Sequence, residues 1–435
     1  MEVLHYLGAW LAGMLIGIAS GVFPALHVYN IFGFVVLVIL KFSLSWKLIL
    51  TFAVALITAY CFSNTISSVF FSLPDESTAF MVLPAAKMLA RGRGYEAVVM
   101  TNIGALLGLA FFAVVIYLAT PQLYLLHGVL RDLTPEILLV ILVYLVVQEW
   151  PKFFEGRKTG FALFLEGMKS ILAGIFVWIA SGLLGFYILN KTLVPSEWAF
   201  QGLMPAFVGF FAVPWLIFNI VAPHLKSEQY VPDDVEVDGE TMGASVVAGT
   251  LAGSLAAYLP IITGGMAGVL AGHTLASRSS RVFMVSYGAS KTIYYVGALI
   301  VSLVPTIYLT RGGLAWMLAP FKVEYSPSDF GFALGLMLLT AGFSFLIVDY
   351  LARLIARIYH RLNISLISVI LLVLITGVVY FIASVQGLVI MIAATGIGIF
   401  AVVFNTRRLN CMGVLLIPVV FNMFGWTDYL REWLF

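Results

Sequence analysis

Residues 12–30 read AGMLIGIASGVFPALHVYN, and residues 248–266 read AGTLAGSLAAYLPIITGGM. The two segments align without a gap, and the coinciding positions are Ala12/Ala248, Gly13/Gly249, Leu15/Leu251, Gly17/Gly253 and Pro24/Pro260. Proline removes a backbone hydrogen bond from a helix, and its ring clashes with the preceding turn. Inside a bilayer such a break persists only within protein or against a cavity. A matched pair of interrupted helices, one in each half of a chain, indicates the binding site of a transporter.

The composition identifies the class of protein. The chain has 435 residues, of which 62% are hydrophobic and only 10% are charged, whereas soluble domains carry about 25% charge. Long continuous apolar runs exclude a transmembrane barrel, which alternates apolar and polar residues. We therefore predict an all-α polytopic membrane protein with about ten to twelve transmembrane helices. Two pseudo-symmetric, inverted repeats, broken helices and re-entrant hairpins are the expected architecture.

One polar segment divides the chain. Residues 222–242 hold six acids and one lysine, and they precede the second glycine–proline motif. We predict an N-terminal membrane repeat over 1–221, a polar acidic linker over 222–242 and a C-terminal membrane repeat over 243–435. A weaker match, SSVFFSLPDES at 67–77 with SRVFMVSYGAS at 280–290, extends the repeat.

The two proline breaks are the first candidate site. His27 and Asn30 follow Pro24 in an apolar stretch, and polar side chains at that depth usually face a cavity or the bundle interior. The freed backbone groups and the following helix start would favour an anionic group. The predicted substrate-binding residues of the two breaks are Pro24, His27, Asn30, Pro260, Thr263, Gly264 and Gly265. The alternative is a pair of simple kinks with a packed histidine.

Further polar residues follow the weaker match. The sequence LPDEST places Asp75, Glu76, Ser77 and Thr78 together, and Lys291 precedes an apolar helix. We predict Ser77, Thr78 and Lys291 as substrate-binding residues, and Asn30, Asp75 and Glu76 as residues that couple transport to Na⁺ or H⁺. In the alternative reading, the acids complement a helix dipole and the lysine reaches an interface by snorkelling.

The sequence contains no motif typical of an enzyme or of a nucleotide-binding protein. No nucleotide-binding loop, metal-ligand cluster or nucleophile elbow is present in the sequence. We therefore expect no catalytic residue, no metal site, and no cofactor besides a coupling ion. The net charge of +2 gives nucleic-acid binding no support. Cys61 and Cys411 are expected to be buried small hydrophobes, and Asn405–Gly413 to be a cytoplasmic turn.

A family resemblance rests on three stretches. The run LPAAKMLARGRGYEA has the family's Pro-x-Ala-basic turn, in which the matching residues are Pro84, Ala86, Lys87, Arg91, Gly92 and Ala97. The opening helix with Pro24, His27 and Asn30, and the terminal RLNCMG at 408–413, resemble a stand-alone archaeal branch. Together these stretches resemble the permease of tripartite tricarboxylate transporters, the TctA family.

The resemblance implies a secondary transporter that moves an anionic substrate, a carboxylate, by alternating access with Na⁺ or H⁺. In typical members a periplasmic binding protein delivers the carboxylate. The expected location is the plasma membrane of a prokaryote, with the bilayer and a small anion as partners. One alternative is a flippase of polyprenyl-phosphate lipid carriers, with an anionic isoprenoid lipid as partner, and another is an intramembrane enzyme. Binding-protein and small-subunit partners, and assembly as a homodimer, stay open.

Overall fold

The computed structural model describes residues 2–23, 27–42, 44–150, 160–191, 193–194, 201–222, 227–235, 238–259, 262–268, 279–305, 307, 309–321 and 327–427. Every regular element in these ranges is a helix. Seven of the helices are long and apolar enough to cross a membrane, and four shorter apolar helices accompany them. The predicted all-α polytopic membrane protein is therefore confirmed.

The helices are numbered in chain order. They are α1 (Glu2–Val22), α2 (Val28–Phe42), α3 (Trp46–Phe70), α4 (Val82–Ala90), α5 (Gly94–Asp132), α6 (Thr134–Val147), α7 (Phe161–Asn190), α8 (Gln201–Val221), α9 (Gly239–Tyr258), α10 (Ser280–Thr292), α11 (Gly313–Leu318), α12 (Pro327–Ile358), α13 (Ile364–Val403) and α14 (Gly413–Met423). Helix α10 continues through a π-helical turn, Ile293–Gly297, into Ala298–Val301. A second π-helical turn, Val208–Ala212, lies within α8.

The helices form two compact units. The first unit combines Met1–Tyr124 with Trp215–Leu374, and the second combines Leu125–Pro214 with Ile375–Phe435. The N-terminal part of each predicted repeat thus lies in the first unit, and a later part lies in the second unit. The division at 1–221, 222–242 and 243–435 concerns sequence duplication and stays a prediction.

The matched glycines have matched roles in the first unit. Gly13 and Gly17 of α1 lie against backbone carbonyls of α3, and Gly249 and Gly253 of α9 lie in the same way against α10. A Cβ at any of these positions would collide with the facing carbonyl. Small residues allow membrane helices to approach backbone to backbone. The repeat in sequence is therefore also a repeat of a packed helix pair.

The contacts also correct the weaker sequence match. The carbonyls that face the glycines are those of Phe52, Leu56, Ser286 and Ser290. The residues that precede the two helices, Ser45 and Ser279, differ in number by the same amount as the residues that face equivalent glycines. Those facing residues are Phe52 and Ser286, and Leu56 and Ser290. Segment 280–290 therefore corresponds to 46–56, and its alignment with 67–77 is wrong. Shared serines produced that match, whereas packing does not support it.

Equivalent helices of the two repeats begin at opposite ends of the first unit. Trp46 at the start of α3 donates to Asp329 at the start of α12 (2.9 Å), and Arg281 at the start of α10 donates to Glu96 at the start of α5 (2.5 Å). Tyr95, beside Glu96, donates to Asp349 (2.7 Å). Asp349 lies about 20 residues, roughly 30 Å, along α12. The starts of α5 and α12 are thus separated by about one bilayer core, as inverted repeats require.

Part of the acidic linker is anchored on the first repeat. The Ser227 hydroxyl and the Gln229 amide donate to the Leu89 carbonyl at 2.9 and 3.0 Å. Gln229 also accepts from the backbone N–H of Gly94 at 2.8 Å, where α5 begins. Unpaired backbone groups at helix ends need such partners. Segment 227–230 therefore secures the α4–α5 junction, rather than serving only as a solvated connection.

The glycine contacts predict a difference between two substitutions in α1. Gly17→Ala should lower the free energy of unfolding by about 1–3 kcal/mol, because the new methyl group overpacks against α3. Gly8→Ala is the matched control, since nothing lies within 4 Å of its added Cβ and alanine favours helix. Melting temperatures of the purified variants in detergent measure both effects. Equal melting temperatures would contradict the proposed packing of α1 on α3.

The opposed helix directions predict the sides from which single cysteines react. Arg91→Cys, before α5, and Arg357→Cys, late in α12, should label from the same side with an impermeant maleimide in sealed cells. Ser328→Cys, at the start of α12, should label from the other side. Background should be low, because Cys61 and Cys411 are buried. Labelling of all three variants from one side would contradict the inverted arrangement.

Candidate functional site

His27 lies at the first break, directly before α2. Its Nδ1 accepts the backbone N–H of Tyr29 (3.2 Å), so the imidazole caps the start of the helix. Thr263 holds the equivalent place before the helix that begins at Gly264, where its hydroxyl accepts from the backbone N–H of Met266 (3.4 Å). Each helix start has exposed donors, which such caps satisfy. The described residues next to both breaks therefore share one local structure.

Asp75 lies in the irregular segment 71–81 between α3 and α4, rather than at a helix start. Its Oδ1 accepts the backbone N–H groups and the hydroxyls of Ser77 and Thr78 at 2.7–2.9 Å. Its Oδ2 accepts from Tyr60 (2.8 Å) and Asn64 (3.0 Å) of α3. Hydrogen bonds to both oxygens stabilise the ionised form of a carboxyl group. Ser77 and Thr78 therefore position Asp75.

The Tyr295 hydroxyl is the junction of three titratable groups. It lies 2.7 Å from Glu76 Oε1, 2.9 Å from His27 Nε2 and 3.2 Å from Asp75 Oδ2. His27 Nε2 and Glu76 Oε1 are themselves 3.3 Å apart. Because Asp75 and Glu76 lie in a non-helical segment, neighbouring carboxylates can reach the same hydroxyl. The geometry gives a continuous hydrogen-bonded path between the histidine and both acids.

Lys291 is fully buried four residues before Tyr295 on α10. Its ammonium group donates to the carbonyl of Cys61 (2.8 Å), Oδ1 of Asn64 (2.5 Å) and the hydroxyl of Thr65 (2.7 Å). The Asn64 amide in turn donates to Asp75. An ammonium group has three donors, and here all three are used. Lys291 thus balances the charge of Asp75 through Asn64.

An aromatic shell surrounds this network. The ring of His27 lies 4.7 Å from that of Tyr29, 5.5 Å from Tyr60 and 5.8 Å from Tyr295, between ring centroids. Such rings limit water entry and raise the strength of the electrostatic interactions inside. The titratable groups that interact electrostatically with His27 or Glu76 are Tyr29, Tyr60, Cys61, Asp75, Tyr287, Tyr294 and Tyr295.

The structure brings together six of the twelve residues selected from the sequence. Those that meet in one network are His27, Asp75, Glu76, Ser77, Thr78 and Lys291. Asn30 is buried on the first turn of α2. At the second break, Gly264 packs against Lys291 and Tyr294, with Thr263 and Gly265 buried beside it. Pro24 and Pro260 lie outside the described residues. The functional roles of all these residues stay predictions.

Several members of the network were not predicted from the sequence. They are Tyr60, Asn64, Thr65, Tyr287 and Tyr295. Tyr60 and Asn64 are spaced by four residues, as are Lys291 and Tyr295, and this spacing places two side chains on one helix face. Polar residues at that spacing inside an apolar helix were the available signal.

The network could hold a cation or a proton. One ligand atom from each of His27, Asp75 and Glu76 lies within 4.8 Å of the others. The hydrogen bonds to both Asp75 oxygens, however, occupy the positions that metal coordination would need. Glu76, His27 and the Tyr295 hydroxyl are connected by hydrogen bonds instead. This donor set therefore suits a shared proton better than a coordinated metal ion.

Basic residues before α5 form a separate cluster. Arg93 and Arg281 both donate to Glu96, at 2.6 and 2.5 Å. The hydrogen bond with Glu96 raises the pKa of Arg93, which precedes the membrane-spanning helix. Lys87 and Arg91 are exposed. Arg93 is thus committed to a helix-start ion pair rather than to a bound anion.

A second polar cluster lies in the second unit. Glu149 accepts from the Asn410 amide (3.0 Å) and from the backbone N–H of Arg407 (3.2 Å). Arg408 is buried and donates to the Phe211 carbonyl (2.9 Å) of the π-helical turn in α8, where backbone pairing is irregular. Residues 408–412 are buried in this unit. The stretch Asn405–Gly413 therefore connects α13 to α14, as the predicted turn requires, but much of it is packed inside the unit. Its location on the cytoplasmic side stays a prediction.

Comparisons with known proteins agree with the membrane fold. The profile of the tripartite tricarboxylate transporter TctA family matches residues 7–413. The uncharacterized protein MJ1079 of Methanocaldococcus jannaschii is 25% identical over 415 residues, which cover 94% of this chain and 96% of that protein. No solved structure matches.

The network predicts that Lys291 and Asp75 are energetically coupled. Lys291→Met should destabilise the protein by about 3–5 kcal/mol, because it leaves buried acceptors and a carboxylate uncompensated. The double variant Lys291→Met/Asp75→Asn should lose less free energy of unfolding than the two single variants lose together. The difference, which is the coupling energy, should be about 0.5–3 kcal/mol. Lys87→Met, at an exposed lysine, is the control. Unfolding free energies in mixed micelles measure the cycle, and additive effects would exclude coupling through Asn64.

Proposed function

We propose that this chain, which belongs to the tripartite tricarboxylate transporter TctA family, moves an anionic substrate, a carboxylate, by alternating access coupled to an ion. The family match covers nearly the whole chain, so the protein is a multi-pass transporter permease. We infer the substrate, the coupling ion and the binding site from contacts within the first unit. The proposed location is the plasma membrane of a prokaryote.

The observation that carries the site proposal is the buried network of His27, Asp75, Glu76 and Lys291. Ionisable residues at membrane depth are costly and usually mark ion or substrate pathways. This network lies where residues next to both helix breaks meet α10, because His27 contacts Tyr295 and Gly264 contacts Lys291. Binding sites of transporters with inverted repeats commonly occupy such positions.

Among Na⁺ and H⁺, the geometry favours the proton as coupling ion. His27 keeps 17% of its side chain exposed and Glu76 keeps 9%, so water can reach the imidazole side of the pair. Tyr295 links both groups to Asp75, whose oxygens are already hydrogen-bonded. A proton can therefore enter at His27 and pass to Glu76 while Asp75 remains ionised. Sodium would instead require free carboxylate or carbonyl oxygens.

The substrate proposal follows the family name, which specifies tricarboxylates. A flippase of polyprenyl-phosphate lipids remains an alternative outcome of a binding screen, since it too recognises an anion. Members of the family work in tripartite systems with a binding protein and a small subunit. The inverted repeat would supply two states of similar energy, since each repeat can take the other's conformation.

The proposal predicts the behaviour of four variants in proteoliposomes. Glu76→Gln should abolish citrate uptake driven by a pH gradient while leaving citrate counterflow, because only the proton step is lost. His27→Ala and Asn30→Ala should abolish transport but leave folded protein in the membrane. Glu240→Gln, at an exposed acid of α9, is the control. Radiolabelled citrate uptake, with and without imposed Na⁺ and pH gradients, measures each effect.

Three results would contradict the assignment. Wild-type uptake rates in both His27→Ala and Asn30→Ala would remove the first break from the site. Uptake that requires a Na⁺ gradient and ignores pH would exclude proton coupling. Stabilisation by isoprenoid phosphates alone, without any response to di- or tricarboxylates, would favour the lipid flippase.

A further inference from the structure

The buried network leaves no cation for an anionic substrate. Lys291 uses all three of its donors within the network, and His27 is paired with Glu76. The remaining charges, Asp75 and Glu76, repel an anion. The other described cations of the first unit, apart from Arg311, lie near the starts and ends of helices: Lys41, Lys47, Lys87, Arg91, Arg93, Arg281, Arg353, Arg357 and Arg361.

Arg311 differs from these cations in its position. It lies between Val301 and α11, and its guanidinium donates to the carbonyl of Tyr258, the last residue of α9 (3.3 Å). Of the next two residues, Gly313 packs against the ring of Tyr29, just after the first break, and Gly312 lies near the hydroxyl of the same tyrosine. The segment that carries Arg311 therefore contacts the described residues beside both breaks.

Glycine is required in this segment. Gly312 has a φ of +74°, which favours glycine. A Cβ on Gly313 would meet the Tyr29 ring at about 2.9 Å, and Tyr29 packs on His27. The two glycines thus hold the backbone of the Arg311 segment against the aromatic shell of the network.

The guanidinium of Arg311 retains binding capacity. Arg311 is half-buried, and within the described ranges no carboxylate forms an ion pair with it. An arginine has five donors in a planar fork that matches carboxylate and phosphate groups. Its one hydrogen bond, at 3.3 Å to a carbonyl, leaves most of that fork available. A half-buried cation gains stability from a bound counter-charge.

The inverted repeat relates this segment to the acidic one. Segment 71–81 joins the helix α3 to α4, and residues 302–312 join the equivalent helix to α11. The first carries Asp75 and Glu76, and the second carries Arg311. Two equivalent connections of the repeat thus hold opposite charges on residues near the same aromatic shell.

From these contacts we propose that Arg311 binds the anionic group of the transported substrate, while the Asp75–Glu76 segment carries the coupling ion. This inference rests on the proposed transport of an anion. The shared chemistry is a carboxylate or a phosphate, both of which accept two parallel hydrogen bonds from a guanidinium. Separate residues for anion and proton would let binding of one change the site of the other through Tyr29 and His27.

The test is equilibrium binding to the purified full chain in detergent, with citrate and farnesyl phosphate as probes. Arg311→Gln should weaken citrate binding at least tenfold, because a charge-assisted fork is lost. Arg311→Lys should give an intermediate affinity, since it keeps the charge without the fork. Arg357→Gln, the same change at an exposed arginine late in α12, should bind as wild type. Melting temperatures without ligand check that each variant is folded.

The outcomes separate this inference from the proposed function. If Arg311→Gln binds citrate as tightly as wild type, the role of Arg311 is wrong while anion transport stands. If Arg311→Gln does not fold, the citrate affinity of Arg311→Lys is the test, and a wild-type affinity of that variant would show that the role of Arg311 is wrong. If only farnesyl phosphate binds, and Arg311→Gln abolishes that binding, Arg311 is supported and the carboxylate is wrong. If wild type binds neither probe, the anionic substrate and the role of Arg311 are both overturned.

Discussion

The carboxylate of Asp75 is the group around which the buried centre of the first unit is organised. An ionised carboxyl group in an apolar interior costs several kcal/mol unless its oxygens are hydrogen-bonded and a cation balances it. The segment after Asp75 curls back to supply Ser77 and Thr78, and α3 supplies Tyr60 and Asn64. Asn64 also binds Lys291 of α10, so one charge requirement connects elements from both repeats. Removing the Asp75 carboxylate would deprive Tyr60, Asn64, Ser77 and Thr78 of their shared acceptor.

Much of the helical framework could be predicted from sequence, because packing requires small residues at regular spacing. The glycines of the two aligned motifs correctly indicated paired helices, since no larger residue fits against the carbonyls of α3 and α10. The alignment of 67–77 with 280–290 was wrong, because shared serines do not establish that two segments pack in the same way. The two compact units were not foreseen either, because both contain apolar helices and only tertiary contacts distinguish them.

The candidate site shows the same limit at the level of single residues. His27, Asp75, Glu76 and Lys291 were recognisable because charges are rare in apolar stretches. Tyr60 and Tyr295 were not, since a tyrosine in a membrane helix is commonly an apolar packing residue or an interfacial anchor. Their role depends on the position of each hydroxyl group, and the packing of α3 against the helix that continues α10 determines that position. Arg311 was not selected from the sequence, and only its contact with Tyr258 and the contacts of the adjacent glycines with Tyr29 distinguish it.

The interleaving of the two compact units has a consequence for biogenesis. Lys291 and Tyr295, the partners of Asp75 on the second repeat, are synthesised roughly 200 residues later. At ordinary ribosome speeds this interval is on the order of 10–40 s. During that interval the nascent first repeat would sit in the lipid with an unbalanced acid. The self-contained hydrogen bonds from Ser77 and Thr78 can protect the carboxylate in the meantime. The acidic segment is thus equipped for insertion before its distant partners exist.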